Sequence, residues 1–332
     1  MEIDILGRRL SCHGLPVSVM TALSDCWHFP EHSAPAPDRG ATNVSATGYT
    51  LSIAAGLPDR PDRLRGEWVS VGGMSQPVEV RSDGAGFEYQ DASGRLDCRH
   101  TEGHTEIRTE FTPAGPTGAA PSLPYTETLH LAVAEGLRCS GLLPLHVAGA
   151  VFMTATGPET SVFAGPSGTG KSTTLLHAVA AGGQPVAEDL MWYDPHSRLV
   201  YGWDRGIRLL PGSLSFLPAR VRECDWPVST DGKTNVPYSA LSDSPVVRGG
   251  TPLSRFVVLT RSPGEDSRLE PLPRREAALA VWEAARLPLA DEARAQVTRH
   301  IEELTRQVPF FRLHLGRTPL PFPGPALSPV AG

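Results

Sequence analysis

Ser161-Val-Phe-Ala-Gly-Pro-Ser-Gly-Thr-Gly-Lys-Ser172 decides how this chain is read, because from Gly165 it spells G-x-x-x-x-G-K-S. That is the pattern of a loop that cradles phosphate. Gly165, Gly168 and Gly170 let the backbone take turns that a Cβ would forbid and approach an anion closely. Successive N–H groups of such a turned backbone point inward and form an anion nest. The residues expected to hold a nucleotide are therefore Gly165, Pro166, Ser167, Gly168, Thr169, Gly170, Lys171, Ser172 and Thr173. Lys171 would reach the β- and γ-phosphates, and the Ser172 hydroxyl would ligate Mg²⁺.

The flanks of the loop agree with it. Ser161-Val-Phe-Ala164 is a short apolar run that reads as a buried strand. Lys171 to Ala181 is a fair helix former that closes at Gly182-Gly183, a helix stop signal. The positive end of that helix dipole then faces the same anion.

Acidic partners are expected nearby, because a metal bound to phosphates needs a carboxylate at the end of a neighbouring strand. Glu188-Asp189 ends the apolar run Val186-Ala187, seventeen residues after Lys171. Two adjacent acids are costly to bury, and a divalent cation offsets that cost. One would bind metal while the other accepts a hydroxyl proton, and the spacing leaves open which does which. His146 interrupts an apolar stretch, Leu143 to Met153, read as one buried strand. A histidine so placed is either a hydrogen-bonded structural residue or part of the chemistry. Lys233, in the polar stretch Asp225 to Pro237, is either a solvated lysine or a flexible cation for the transferring group. Arg205 and Arg208 read as surface arginines, or as a grip on an acidic substrate or a phosphate.

The rest of the chain sets the frame. Its 332 residues suffice for one large or two smaller domains. A net charge of −6 with no basic run argues against nucleic acid as partner. Five scattered cysteines without a C-x-x-C pair argue against a zinc site or a disulfide frame, and for reduced thiols in a cytoplasm. No secretory signal and no apolar stretch of membrane-spanning length is expected. Residues 1–13 read as strand-turn-strand, Pro16 to Trp27 as a helix, Pro30 to Asn43 as a loop and Tyr49 to Ala54 as a strand. Gly66 to Phe111 shows two-residue alternation broken by turn residues, the pattern of an antiparallel meander. Thr112 to Leu123 reads as a linker, which divides the chain into a β-rich domain with one helix at 1–120 and a second domain at 121–332. There, Tyr125 to Cys139 reads as a helix, Gln184 to Tyr193 as one strand, and Arg198 to Leu210 as a hairpin. Ser254 to Thr260 and Phe310 to Leu315 read as strands, Arg274 to Leu287 and Asp291 to Gln307 as helices, and the tail beyond Pro319 as frayed.

Leu145-His146-Val-Ala-Gly-Ala-Val151, the loop Gly165 to Ser172, and Pro185-Val-Ala-Glu-Asp-Leu190 together resemble the core of the HPr serine kinase/phosphorylase family. More closely, the chain resembles the HPr-kinase-like proteins of bacterial peptide natural-product pathways, which include kinases of lasso-peptide precursors. Arg208-Leu-Leu-Pro211, Asp231-Gly-Lys-Thr-Asn-Val-Pro237 and the run Phe256 to Thr260 fit the same pattern, so the likeness covers about residues 125–318. It implies an α/β (α+β) fold of the phosphoenolpyruvate-carboxykinase type, with a mixed, strongly bent sheet, behind a small antiparallel β-rich front domain. It implies ATP and Mg²⁺, and transfer of the γ-phosphate to a serine-type hydroxyl of a peptide or small protein. His146, Glu188, Asp189 and Lys233 would carry the chemistry, with Ser172 and Asp189 on the metal. Glu188 stands where the family usually has aspartate, and the long glycine-rich segment of the true HPr kinases is not found, which argues against a phosphorylase activity. The family tends to form homo-oligomers. The residues themselves also admit a kinase of a small hydroxylated metabolite, a nucleotide-binding regulator or scaffold, and an ATP hydrolase.

Overall fold

The computed structural model describes residues 1–27, 49–57, 68–71, 78–91, 94–111, 123–229, 231–241, 249–264 and 266–316. The loop expected at Pro30 to Asn43, the tail beyond Pro319 and all but the last residue of the linker, with the boundary placed at 120/121, lie outside these residues. The fold is mixed α and β. Two units emerge: Met1–Leu143 with Leu287–Arg299, and Pro144–Arg286 with the residues from His300 onward.

The first unit is a sheet of β1 (Glu2–Ile5), β2 (Arg8–His13), β3 (Thr50–Ala55), β4 (Trp68–Val71), β5 (Val78–Ser82), β6 (Gly86–Asp91), β7 (Gly94–Thr101) and β8 (His104–Phe111). Their order is β1-β2-β3-β8-β7-β6-β5-β4. The meander from β4 to β8 is antiparallel throughout, as the alternation predicts. The front sheet as a whole is not antiparallel, however. β3 lies between β2 and β8 and runs parallel to both, with Leu10 opposite Leu51 and Ile53 opposite Ile107. Parallel pairing needs a crossover, and helix α1 (Val17–Trp27) stands between β2 and β3 in the chain. Alternation fixes which face of a strand is buried but not which strand it pairs with.

Helices α1 and α2 (Leu123–Cys139) bury Val19, Leu23 and Trp27, and Leu129, Val133 and Leu137. Each such side chain contributes about 1.5–3 kcal/mol. At Gly136 the helix α2 lies close against the sheet: a Cβ there would meet Leu51 Cδ2 at 2.6 Å. Glu135, fully buried, pairs with Arg138 at 2.7 Å and accepts the N–H groups of Leu289 and Ala290 at 2.5 and 2.7 Å. These bonds tie Leu287–Arg299 into this unit.

His130 on α2 meets Trp27 edge-on, and burial pushes its pKa down to about 4, with Glu127 opposing. The unfolded chain, with an ordinary histidine, binds the proton more readily. The neutral form's contribution is therefore complete above about pH 6.5 and lost as the pH falls towards 4. Between about pH 7.5 and 5, urea denaturation should show this unit losing about 2 kcal/mol, and a His130→Phe variant should lose less.

The second unit contains β9 (Leu143–Leu145), β10 (Ala148–Thr154), β11 (Gly157–Ala164), helix α3 (Lys171–Ala180), β12 (Gln184–Ala187), β13 (Met191–Asp194), β14 (Leu199–Gly202) and β15 (Gly206–Leu209). After a 3-10 turn at Pro211–Phe216 come α4 (Ala219–Arg222), β16 (Thr234–Pro237), α5 (Tyr238–Leu241), β17 (Thr251–Arg261), β18 (Arg268–Pro271), α6 (Arg274–Ala285), α7 (Asp291–Gln307) and β19 (Phe310–Leu315). The last two match their expected bounds; the residues of α7 up to Arg299 belong to the first unit. The sheet runs β12-β10-β11-β17-β14-β13-β9, with β19 parallel to β17 and β18 on β19.

Two stretches that read as single strands are each split. β9 gives way to β10 at His146-Val147, and β12 to β13 across Glu188-Asp189-Leu190. In both cases the chain leaves one end of the sheet order and rejoins it towards the other. The causes are distant groups. The His146 N–H goes to Ala284 O on α6 at 2.7 Å. The N–H groups of Glu188, Asp189 and Leu190 all go to Asp204. The hairpin expected at Arg198 to Leu210 is also absent. β14 pairs with β13 and β17, while β15 pairs with β16, which forms within the stretch expected to be irregular. Ile207, Leu209 and Val236 of this small sheet pack with Phe163, Leu175, Leu176, Val257 and Leu259 into one core under α3.

Candidate functional site

The phosphate-loop pattern has its expected setting: buried strand β11, loop 165–170, helix α3. β11 lies between antiparallel β10 and parallel β17, so its carboxyl end, and the loop with it, is held from both sides. Gly170 caps α3 at φ 115°, a left-handed conformation that admits glycine readily. Side chains of the loop, of Lys171 and of Arg261 on the neighbouring strand β17 donate to the loop carbonyls. Lys171 Nζ donates to Gly165 O at 2.8 Å, Thr169 Oγ1 to Pro166 O at 2.7 Å, and the Arg261 guanidinium to Gly168 O at 2.8 and 3.2 Å. Pro166, Ser167 and Gly168 form an exposed rim, whereas Lys171 is buried and its pKa is lowered, chiefly by burial.

The strand splits bring the acids and the histidine to the start of α3. Ser172 Oγ donates to Glu188 Oε1 at 2.5 Å. Arg208, from β15, lies 3.7 Å from Glu188 Oε2 and 3.3 Å from Asp189 Oδ2. His146 Nε2 lies 3.3 Å from Asp189 Oδ1. Thr173 Oγ1 is 3.4 Å from Ser213 Oγ. Glu188 is buried, and burial raises its pKa against the pull of the Ser172 hydroxyl. Asp189 is three-tenths exposed, so the two acids differ in access. Burial lowers the His146 pKa to about 4; Asp189 opposes this, while Arg286, Lys171 and Arg208 reinforce it.

Seven residues thus converge: His146, Lys171, Ser172, Glu188, Asp189, Arg208 and Arg286. Lys233 is held apart. Its ammonium pairs with Asp231 at 3.3 Å, and it reaches the group only through space, by lowering the Lys171 pKa. The Ser229 hydroxyl, with Lys233 behind it, draws the Asp231 pKa down to about 2. Of the two arginines considered from the sequence, Arg208 faces the acids.

Sequence reasoning missed Asp204 and Arg286. Asp204 Oδ2 accepts the N–H groups of Glu188, Asp189 and Leu190 at 3.0, 2.7 and 2.9 Å, and so builds the turn that presents both acids. The burial that goes with this raises its pKa, and the three donors pull it back. Nothing in Gly202-Trp-Asp204 signals that role. Asp204→Ala would leave three N–H groups without their acceptor, at about 1–3 kcal/mol for each that water does not reach. A loss of about 3 kcal/mol in urea denaturation is the expected result, along with loss of the geometry around Asp189.

Mg²⁺ fits the residues present. It keeps several waters and is usually bound by one or two carboxylates together with substrate phosphates. Ser172 Oγ and the Glu188 carboxylate, 2.5 Å apart at the start of α3, are a donor pair of that kind. Among the described residues no group of three or more His, Cys, Asp or Glu forms an all-protein metal cage. Nor is any helix among them long and apolar enough to cross a membrane. No model of a known protein family matches the chain, and none of the curated proteins matches it.

Proposed function

We propose that the chain is an ATP- and Mg²⁺-dependent kinase that transfers the γ-phosphoryl group to a serine-type hydroxyl of a peptide or protein. The observation that carries this reading is the convergence of the phosphate loop with a paired acid: Ser172 on Glu188, and Asp189 beside it between His146 and Arg208. Phosphoryl transfer asks little covalent chemistry of a protein; it asks for in-line positioning and for charge opposite the transferring oxygens. The loop N–H groups and Lys171 would hold the phosphates. Ser172 and Glu188 would hold Mg²⁺, which would supply charge neutralisation to the phosphates. Arg208 would face the transferring group once the acids are engaged.

Asp189, the more accessible acid, is then the proton acceptor. The substrate oxygen forms its bond to phosphorus, the bond from phosphorus to the leaving diphosphate breaks, and the hydroxyl proton passes to the Asp189 carboxylate. This division of labour moves the metal from Asp189 to Glu188 relative to the expectation drawn from the family resemblance. The finer fold reading, a bent sheet of the phosphoenolpyruvate-carboxykinase type behind a front domain, belongs to the same proposal. It is supported by the mixed sheet around β11 and by the placing of His146 and the acids at its two strand splits. A natural-product precursor peptide as acceptor rests on the resemblance alone.

Mass spectrometry tests the proposal. The protein, ATP and Mg²⁺ are incubated with serine-containing peptides, including those encoded beside its gene. The expected product is a peptide heavier by one phosphoryl group, about 80 Da, absent with Lys171→Ala and formed about 10³-fold more slowly with Asp189→Asn. Nucleotide binding with no product on any peptide or small hydroxylated metabolite would overturn the kinase reading in favour of a binding protein.

A further inference from the structure

Arg286 ends α6 in a conformation that non-glycine residues avoid, with φ 59° and ψ 169°. A positive φ of this kind is a local strain that persists only where something else over-determines it. What holds it is the break between β9 and β10. His146 N–H donates to Ala284 O at 2.7 Å, and Arg286 Nη2 reaches back to His146 Nδ1 at 2.5 Å. The end of α6 is therefore fastened to one residue by a backbone bond and a side-chain bond.

The second bond fixes a proton. A guanidinium has five N–H donors and no acceptor, and it is not deprotonated in proteins. Nδ1 must therefore offer its lone pair, and the ring proton must sit on Nε2. Nε2 is the atom 3.3 Å from Asp189 Oδ1. Asp189 draws the His146 pKa up, and Arg286, Lys171 and Arg208 push it down.

We propose that Arg286 is a positioning residue that holds His146 as the Nε2–H tautomer, with Nε2 beside Asp189 Oδ1. In that form neither ring nitrogen is free to take a proton, Nδ1 being occupied by Arg286 and Nε2 being already protonated. His146 then orients the carboxylate and leaves the acceptor proton to Asp189. The tautomer assignment stands on geometry alone; its catalytic consequence rests on the kinase reading above.

Arg286→Gly is the discriminating variant, because glycine accepts the φ of this position. It removes the guanidinium while relieving the backbone, so the protein is expected to melt at or above the wild-type temperature. The readout is the ¹⁵N spectrum of the His146 ring, assigned with His146→Gln, on protein without nucleotide or peptide. Wild type is expected to show a pyridine-type Nδ1 and a protonated Nε2. Arg286→Gly should show exchange between both tautomers, and Arg286→Lys, which restores a donor, should return the spectrum towards wild type. A wild-type ring protonated on Nδ1, or an unchanged tautomer in Arg286→Gly, would overturn the proposal. Where transfer is measurable, Arg286→Gly should lower kcat about tenfold with ATP affinity unchanged, and should add nothing to a His146→Ala background. A tautomer switch in a protein that transfers no phosphate would overturn the kinase reading and leave the positioning role intact.

Discussion

Asp189→Asn is expected to slow phosphoryl transfer by about 10³-fold while leaving ATP affinity within a few-fold of wild type. A positioned general base is worth about 10²–10⁴ in rate, and asparagine keeps the size of the side chain while removing its capacity to take a proton. The surroundings of Asp189 explain why the loss should fall on the rate. Its carboxylate faces His146 and Arg208, not the loop carbonyls or the Ser172 hydroxyl, which goes to Glu188. Its main-chain N–H stays with Asp204 at 2.7 Å in the variant, so the turn keeps its shape. Glu188→Gln should do the reverse, weakening Mg²⁺-dependent nucleotide binding before it touches proton transfer. Single-turnover kinetics with labelled ATP, set beside equilibrium binding, separates the two. Equal loss of binding in both variants would mean that the acids act as one metal site.

Much of this arrangement was legible in residue types. The loop was, because its glycines, lysine and serine must stand at fixed spacing for the chemistry to work at all. α7 and β19 were, because Asp291–Gln307 keeps a helical apolar stripe and Phe310–Leu315 is a compact apolar strand. The strand splits were not. Leu143 to Met153, apolar but for His146, and Gln184 to Tyr193 each read as one strand, and the groups that bind the breaks lie outside those stretches: Ala284 O for the first, Asp204 for the second. Local pattern carries no record of such partners. For the same reason His146, Glu188 and Asp189 stood out as candidates, while Arg286, 140 residues from the imidazole it reaches, read only as the end of a helix. Lys233, which the sequence leaves open as a solvated lysine or a flexible cation, pairs with Asp231 at 3.3 Å.

Lys171→Met should abolish most of the stabilisation that ATP and Mg²⁺ confer against heat. Methionine matches the length and apolar stem of lysine, and it fills the same buried space at the start of α3. What it lacks is the ammonium. That group donates to Gly165 O at 2.8 Å. Burial lowers the lysine's pKa, while Glu188 and Asp189 raise it, so the charge is held in place by the acids it helps to neutralise. On binding it would exchange the carbonyl for phosphate oxygens, a charge-assisted bond in place of a neutral acceptor. If the loss weakens ATP about 100-fold, the linkage term at a concentration 100 times the wild-type Kd falls from about 2.7 to about 0.4 kcal/mol. For a chain of this size that is a shift of several degrees reduced to about one. Differential scanning fluorimetry with and without ATP and Mg²⁺ reads it directly. A Lys171→Met protein that keeps the full shift would show that the nucleotide is held elsewhere, and would take the kinase reading down with it.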